Sequence, residues 1–195
     1  MRKTFLVMII GVALLGYGAY MPAKALLAQH LIQQAWESSK KSGEAISPWG
    51  WADMHPVMKL SSSKHEQSLI VLSGDTGNVL AFGPGHNLQS GQVGEYKTVM
   101  ISAHRDTHFR FLELVELGDQ FTLEGTSQNK RYKYEVVDVT IIDSDKQEIE
   151  INYKDELKLV TCYPFNQANY GSSLRMVVSL APQKIDKRAV KQLKF

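Results

Sequence analysis

From Leu69 to Leu180 the apolar residues of this chain come in short, β-branched runs separated by turn residues, and that punctuation restricts the fold to a β-barrel or sandwich. The runs are Leu69-Ile70-Val71-Leu72, Val79-Leu80-Ala81-Phe82, Thr98 to Ala103, Phe121-Thr122-Leu123, Tyr132 to Ile142, Leu157 to Cys162 and Met176 to Leu180. One or two more strands are expected within 57–68. Only Phe109 to Glu116, with Phe109, Leu112 and Val115 on one side, reads as helix, and Gly118 stops it. The stretch 57–195 has the size of one ordinary domain, about 100–150 residues. A composition of 44% hydrophobic and 22% charged residues is that of a globular chain, and it contains no internal repeat.

Ahead of this domain, Arg2 and Lys3 precede an uncharged run from Phe5 to Met21, which borders on the length of about 17–25 residues that a spanning helix needs. Residues 1–24 therefore read as a signal anchor. The two basic residues place the N-terminus in the cytoplasm and the rest outside it. A cleaved signal peptide is the alternative, because Ala23-Lys24-Ala25 has the small-x-small pattern of a cleavage site. Residues 25–56 read as a stalk and linker. Leu27, Leu31, Ile32 and Ala35 share one face of a short amphipathic helix over Leu26 to Trp36, and Ser38 to Pro48 breaks it. Trp49 and Trp51 are read as aromatics covering one end of the barrel.

With Arg2 and Lys3 set aside, the 22 basic residues fall to 20, which equals the 20 acidic ones. A neutral exported part argues against a nucleic-acid binder, whose surface is net basic. Cys162 is the single cysteine. It has no partner for an internal disulfide, and an oxidising compartment favours paired cysteines, so a lone thiol there is either inert packing or a reactive group.

Its position favours reactivity. The run Leu157 to Thr161 is an apolar strand that delivers the sulfur to a strand end, beside Tyr163-Pro164. A thiol becomes a strong nucleophile as thiolate, and a neighbouring cation favours that form. His104 ends another apolar strand, Met100 to Ala103, so two adjacent strand ends would bring ring and sulfur together. A hydrogen-bonded structural histidine is the other reading of that position. Arg175 follows a loop containing Asn166, Asn169, Gly171 and Ser172 and can begin the neighbouring strand. A fixed guanidinium there could stabilise the oxyanion of acyl transfer, although a lone arginine at a strand start is more often a surface residue.

Taken together, Leu159-Val160-Thr161-Cys162, His104-Arg105-Asp106-Thr107 and the trailing Arg175 resemble the catalytic signature of the sortases, membrane-anchored cysteine transpeptidases. The likeness runs from about Leu69 to Leu180 and includes Gly83-Pro84-Gly85-His86 and the Leu117-Gly118-Asp119 turn. It implies an eight-stranded barrel with short helices. It also implies that Cys162 attacks the Thr-Gly bond, or its counterpart, in the C-terminal sorting signal of an exported protein, and that His104 serves as acid and base. Arg175 would hold substrate and oxyanion, with Thr161 and Asp106 in the substrate site, and an amine of unspecified identity would resolve the thioacyl enzyme. Cys162-Tyr163-Pro164-Phe165, His104 to Phe109 and Trp51-Ala52-Asp53 look most like the sortases of Gram-negative bacteria. That places the domain in the periplasm, tethered to the inner membrane.

No cofactor or metal is expected. His104 and His108 lack the glutamate of a His-Glu-x-x-His zinc motif, since Arg105 stands in its place. His108 is expected to line the mouth or face solvent. Asp143, Asp145, Glu148, Glu150, Asp155 and Glu156 read as a solvated acidic loop, lacking the ligand spacing and turn glycine of a calcium loop. Two further functions stay open on the residues alone: a different exported cysteine acyl-transferase, such as a peptidoglycan L,D-transpeptidase, or a catalytically silent, membrane-tethered β-barrel binding module.

Overall fold

The structure is a computed structural model that describes residues 2–126, 130–166 and 171–183. Eight strands close a barrel: β1 (Pro56–Ser62), β2 (Gln67–Ser73), β3 (Gly85–His86), β4 (Val99–Ser102), β5 (Gln120–Gly125), β6 (Arg131–Asp143), β7 (Leu157–Cys162) and β8 (Leu174–Pro182). Around the barrel the order is β1-β2-β3-β4-β7-β8-β6-β5. Pairings are antiparallel except β2 with β3 and β4 with β7. Side chains alternate across each strand, so Val99 and Ile101, Leu157 and Leu159, and Val178 and Leu180 fill the interior with Phe109, Phe121 and Tyr134.

Six of the seven expected strands form within or around the runs named above. Val79 to Phe82 does not: Gly77–Leu80 is a single helical turn (α2), with Val79 buried and Phe82 packed edge-on against Trp49. Four apolar residues are too few to separate a period of 2 from one of 3.6. The barrel is completed instead by the two-residue β3, which no hydrophobic pattern marked. Gly85 explains that position, because a Cβ there would run into the carbonyl oxygen of Gly74 and lie 2.9 Å from the Cα of Asp75. The helix expected over Phe109 to Glu116 is a 3-10 turn, Arg110–Leu114.

The helix α1 runs unbroken over Arg2–Ser42, with Pro22 inside it. The expected break at Ser38 is absent, and the packed face shares Ile32 and Ala35 with the one read in the sequence but lies further along the helix. Ile32, Ala35, Trp36 and Ser39 are buried, whereas Leu27 is exposed. Ile32 sits on Met54, Leu72 and Val79, with Trp49, Ile70 and Phe82 around them. Trp51, expected to cover the barrel, is instead 89% exposed. The segment Phe5 to Met21 is helical, but among the described residues no helix is long and apolar enough to cross a membrane.

A part-buried ion pair adds to the docking of α1, with Lys40 Nζ donating to Glu124 Oε1 on β5. That bond holds the Glu124 carboxyl below its ordinary range, against the opposing effect of burial, with the Arg131 charge adding to it. A carboxyl depressed in the folded state stabilises the fold above its unfolded pKa and loses that contribution as pH falls through the folded value. Glu124→Gln is therefore expected to lower stability by about 1–2 kcal/mol at neutral pH and to have little effect in acid. Urea denaturation at the two pH values checks it.

Candidate active site

The site follows from strand order and parity. β7 lies between β4 and β8. Along β7, Leu157, Leu159 and Thr161 face the interior, so Cys162 faces out, and it pairs directly with Arg175 of β8. Directly opposed side chains on one face have Cβ atoms about 4.5–5.5 Å apart. On the other flank, β4 runs parallel to β7 with Ser102 opposite Val160. β4 ends at Ser102, and the chain continuing from it carries His104 to the same barrel mouth as Cys162, where both line one cavity. The thiol thus sits between imidazole and guanidinium. One cavity of about 420 Å³ is lined by His104, Arg105, Asp106, Thr107, Cys162, Ser172 and Arg175.

Local bonds set these groups. The Arg175 Nη1 donates to the carbonyls of Ser172, at 2.7 Å, and Leu174, at 2.9 Å, which hold the guanidinium over the mouth. The chain after His104 turns back on itself, with the Phe109 amide donating to the His104 carbonyl at 3.1 Å. The His104 ring is exposed, and Cys162 and Arg175 are half-buried. Asn169 of the expected loop lies outside the described residues.

Thr161 and Asp106, both assigned to substrate, differ. Asp106 lines the cavity and is exposed. Thr161 is 1% exposed, and its hydroxyl donates to the Ala103 carbonyl at 2.7 Å. The side chain therefore lies inside the barrel and ties β7 to the end of β4. His108 is also placed differently from the mouth or solvent position expected. It is half-buried and lines a separate cavity with Gln29 and Gln33 of α1. Burial, and then the neighbouring His104, hold its pKa below the ordinary imidazole value.

The acidic segment after β6 does not converge on one point. Asp143 pairs with Lys146 and is held down to about 2, chiefly by that hydrogen bond. Asp155 accepts from the Tyr134 hydroxyl at 2.9 Å, while Glu156, buried rather than solvated, pairs with Lys154 and Lys158. Among the described residues, no group of three or more His, Cys, Asp or Glu side chains could hold a metal ion.

Arg105 was missed in the sequence. It is only 4% exposed, in line with Ile101 and Ala103 on the inward parity of β4, and its Nη1 donates to the Pro164 carbonyl at 2.5 Å. An arginine at an inward position needs a specific partner, but the inward orientation of Arg105 follows from strand pairing and not from the local sequence.

Three comparisons bear on this geometry. The Sortase domain model matches residues 61–183, more than half of the chain. Sortase D of Bacillus subtilis is 35% identical over 109 residues, covering 55% of this chain and 54% of the relative, so the match spans about half of that protein's length. Among solved structures, a sortase D5 transpeptidase of Clostridium perfringens matches with a TM-score of 0.59 at 21% identity, over 78% of this chain and 93% of the other. Sortase A of Corynebacterium diphtheriae matches with a TM-score of 0.59 at 18% identity, over 88% and 90%. At those identities the structural matches speak for the fold, and the domain match for the family. The barrel, the cysteine at the end of β7 and the domain match lead to one conclusion: the chain belongs to the sortase family of cysteine transpeptidases.

Proposed function

We propose that this chain is a membrane-anchored transpeptidase that cleaves a C-terminal sorting signal of exported proteins and passes the acyl group to an amine. The observation that carries the reading is the meeting of His104, just beyond β4, with Cys162 of β7 and Arg175 of β8 around one cavity. Family membership sets aside the L,D-transpeptidase alternative.

In this reading the Cys162 thiolate attacks the scissile carbonyl carbon, and the electron pair moves to the carbonyl oxygen. Arg175, held by two backbone carbonyls, donates to that oxyanion; a lost donor of this kind costs typically about 3–4 kcal/mol. As the intermediate collapses, the C–N bond breaks and His104 gives its proton to the departing amine. An acceptor amine then attacks the thioester, and its proton returns by way of His104 to the thiol. Asp106 contacts substrate at the rim, whereas Thr161 acts from inside by holding the two strand ends together.

The N-terminal part of α1 crosses the inner membrane of a Gram-negative cell, with its first residues in the cytoplasm and the barrel in the periplasm. Three features support this placement: the uncharged run Phe5 to Met21 behind Arg2 and Lys3, the exposure of Phe5, Met8, Ile9, Leu14 and Leu15, and the spelling His104 to Phe109 with Cys162-Tyr163-Pro164-Phe165. The full chain is expected to stay with membranes through alkaline carbonate washing, and a chain lacking residues 1–24 to be released as a folded barrel. Recovery of the full chain in the wash would refute the anchor.

Incubation with candidate C-terminal peptides in the absence of amine should leave an acyl adduct on Cys162, read by mass spectrometry. Cys162→Ala should fold with a stability change within about 1–2 kcal/mol yet form no adduct and cleave nothing. Turnover in the alanine variant would remove the assignment.

Because the pair needs one proton between thiol and imidazole, kcat/KM is expected to trace a bell against pH. Arg175→Lys should lower the bell and leave its flanks in place, since lysine keeps the charge but loses the planar fork. A flat wild-type profile would contradict the Cys162–His104 pair, and an unchanged maximum in the lysine variant would take Arg175 out of the reaction.

A further inference from the structure

We infer that Arg105 is a positioning residue, whose guanidinium locks the segment carrying His104 to the segment that follows Cys162. The paired register of β4 and β7 ends at Ser102 and Val160, so His104 already lies in the turn beyond the ladder. Among the described residues, the bonds to its own backbone are local ones, from the Phe109 and Thr107 amides to the His104 carbonyl at 3.1 and 3.4 Å. Neither crosses to the cysteine strand.

Arg105 crosses. Its Nη1 donates to the carbonyl of Pro164, two residues past the nucleophile, while Nε lies 3.6 Å from Asp106 Oδ1 at the cavity rim. Before the reactive pair, the Ala103 amide donates to the Val160 carbonyl and the Thr161 hydroxyl to the Ala103 carbonyl. After it, Arg105 makes the buried link, with exposed bonds between Asn166 and Arg110 and Glu113 further out. The stitch is stiff because the side chain is buried and the guanidinium is planar, with donors fixed in a fork. A charge at 4% exposure also has little freedom to leave its partners, since unpaired it would be buried without compensation for its lost hydration. The residue forms part of the cavity wall, but its role is to hold the imidazole and the sulfur in line, where displacement by about 1 Å can cost about 100-fold in rate.

The inference rests on the transpeptidase reading only where turnover is measured; alkylation of Cys162 needs no substrate. Wild type, Arg105→Lys and Arg105→Met are compared, with His104→Ala as reference. The readouts are melting temperature, the iodoacetamide alkylation rate of Cys162 against pH, and kcat and KM for a peptide that acylates the enzyme. Folded Arg105→Lys is expected to lose about tenfold in kcat with KM within about twofold of wild type, and its alkylation profile is expected to move toward that of His104→Ala. Arg105→Met should go further in the same direction. If the methionine variant does not fold, the lysine variant decides.

Wild-type kcat together with a wild-type alkylation profile in folded Arg105→Lys overturns the inference, as does a loss confined to KM. Identical alkylation profiles for wild type and His104→Ala overturn it too, since no thiol–imidazole alignment would then exist for Arg105 to hold. If no peptide acylates the wild type, the proposed function fails while the alkylation profiles still judge Arg105.

Discussion

The parallel pairing of β4 with β7 is the constraint on which the rest of the molecule depends. Parallel neighbours end at the same mouth of a barrel, so the segments after Ser102 and after Val160 emerge side by side. An antiparallel pairing would have sent them to opposite ends. The next strand, β8, is antiparallel and therefore begins at that mouth, which is how Arg175 comes to face Cys162. A histidine, a cysteine and an arginine far apart in the chain become neighbours through strand direction alone. Parallel strands need a crossover rather than a hairpin, and here the chain between them makes β5, β6 and the acidic loop, closing the barrel on its way.

Around that mouth the inward-facing residues matter as much as the outward ones. Thr161 and Arg105 lie one position from Cys162 and His104, with opposite side-chain parity. Each uses its polar group on a backbone carbonyl of the other segment, Ala103 in one case and Pro164 in the other. Buried polar groups are expected to be so satisfied. Here the same bonds keep the outward pair at a fixed separation. Packing and chemistry are thus alternate faces of the same two strands.

The docked end of α1 gives the barrel a second attachment to its N-terminal segment. Ile32 packs on Met54, Leu72 and Val79, Ala35 and Trp36 are buried beside it on the helix, and Gln29 donates to the Phe82 carbonyl at 2.7 Å. The same helix reaches the segment that carries His104, because Gln29 and Gln33 share a cavity with His108. Residues 29–40 of the helix are therefore packed on the barrel. The sequence suggested a stalk because Ser38, Gly43 and Pro48 break a helical pattern, but tertiary contacts at Trp36, Ser39 and Lys40 carry the helix on to Ser42.

What the amino-acid sequence determined by itself was whatever depends on local order. Alternating β-branched runs specified most of the strands, and the segments ending in Ala103 and Cys162 specified which residues stand at strand ends. A short segment such as Val79 to Phe82 carried no period long enough to read, and β3, only Gly85 and His86, exists because its neighbours and a missing Cβ make room for it. The sequence also could not say that Thr161 turns inward, that Arg105 spans two segments, or that Glu156 is buried against two lysines. Those facts depend on barrel closure, which fixes the face each residue presents and the strand it meets. Residue type and strand position are local properties, whereas orientation and partnership arise only when β4, β7 and β8 pair.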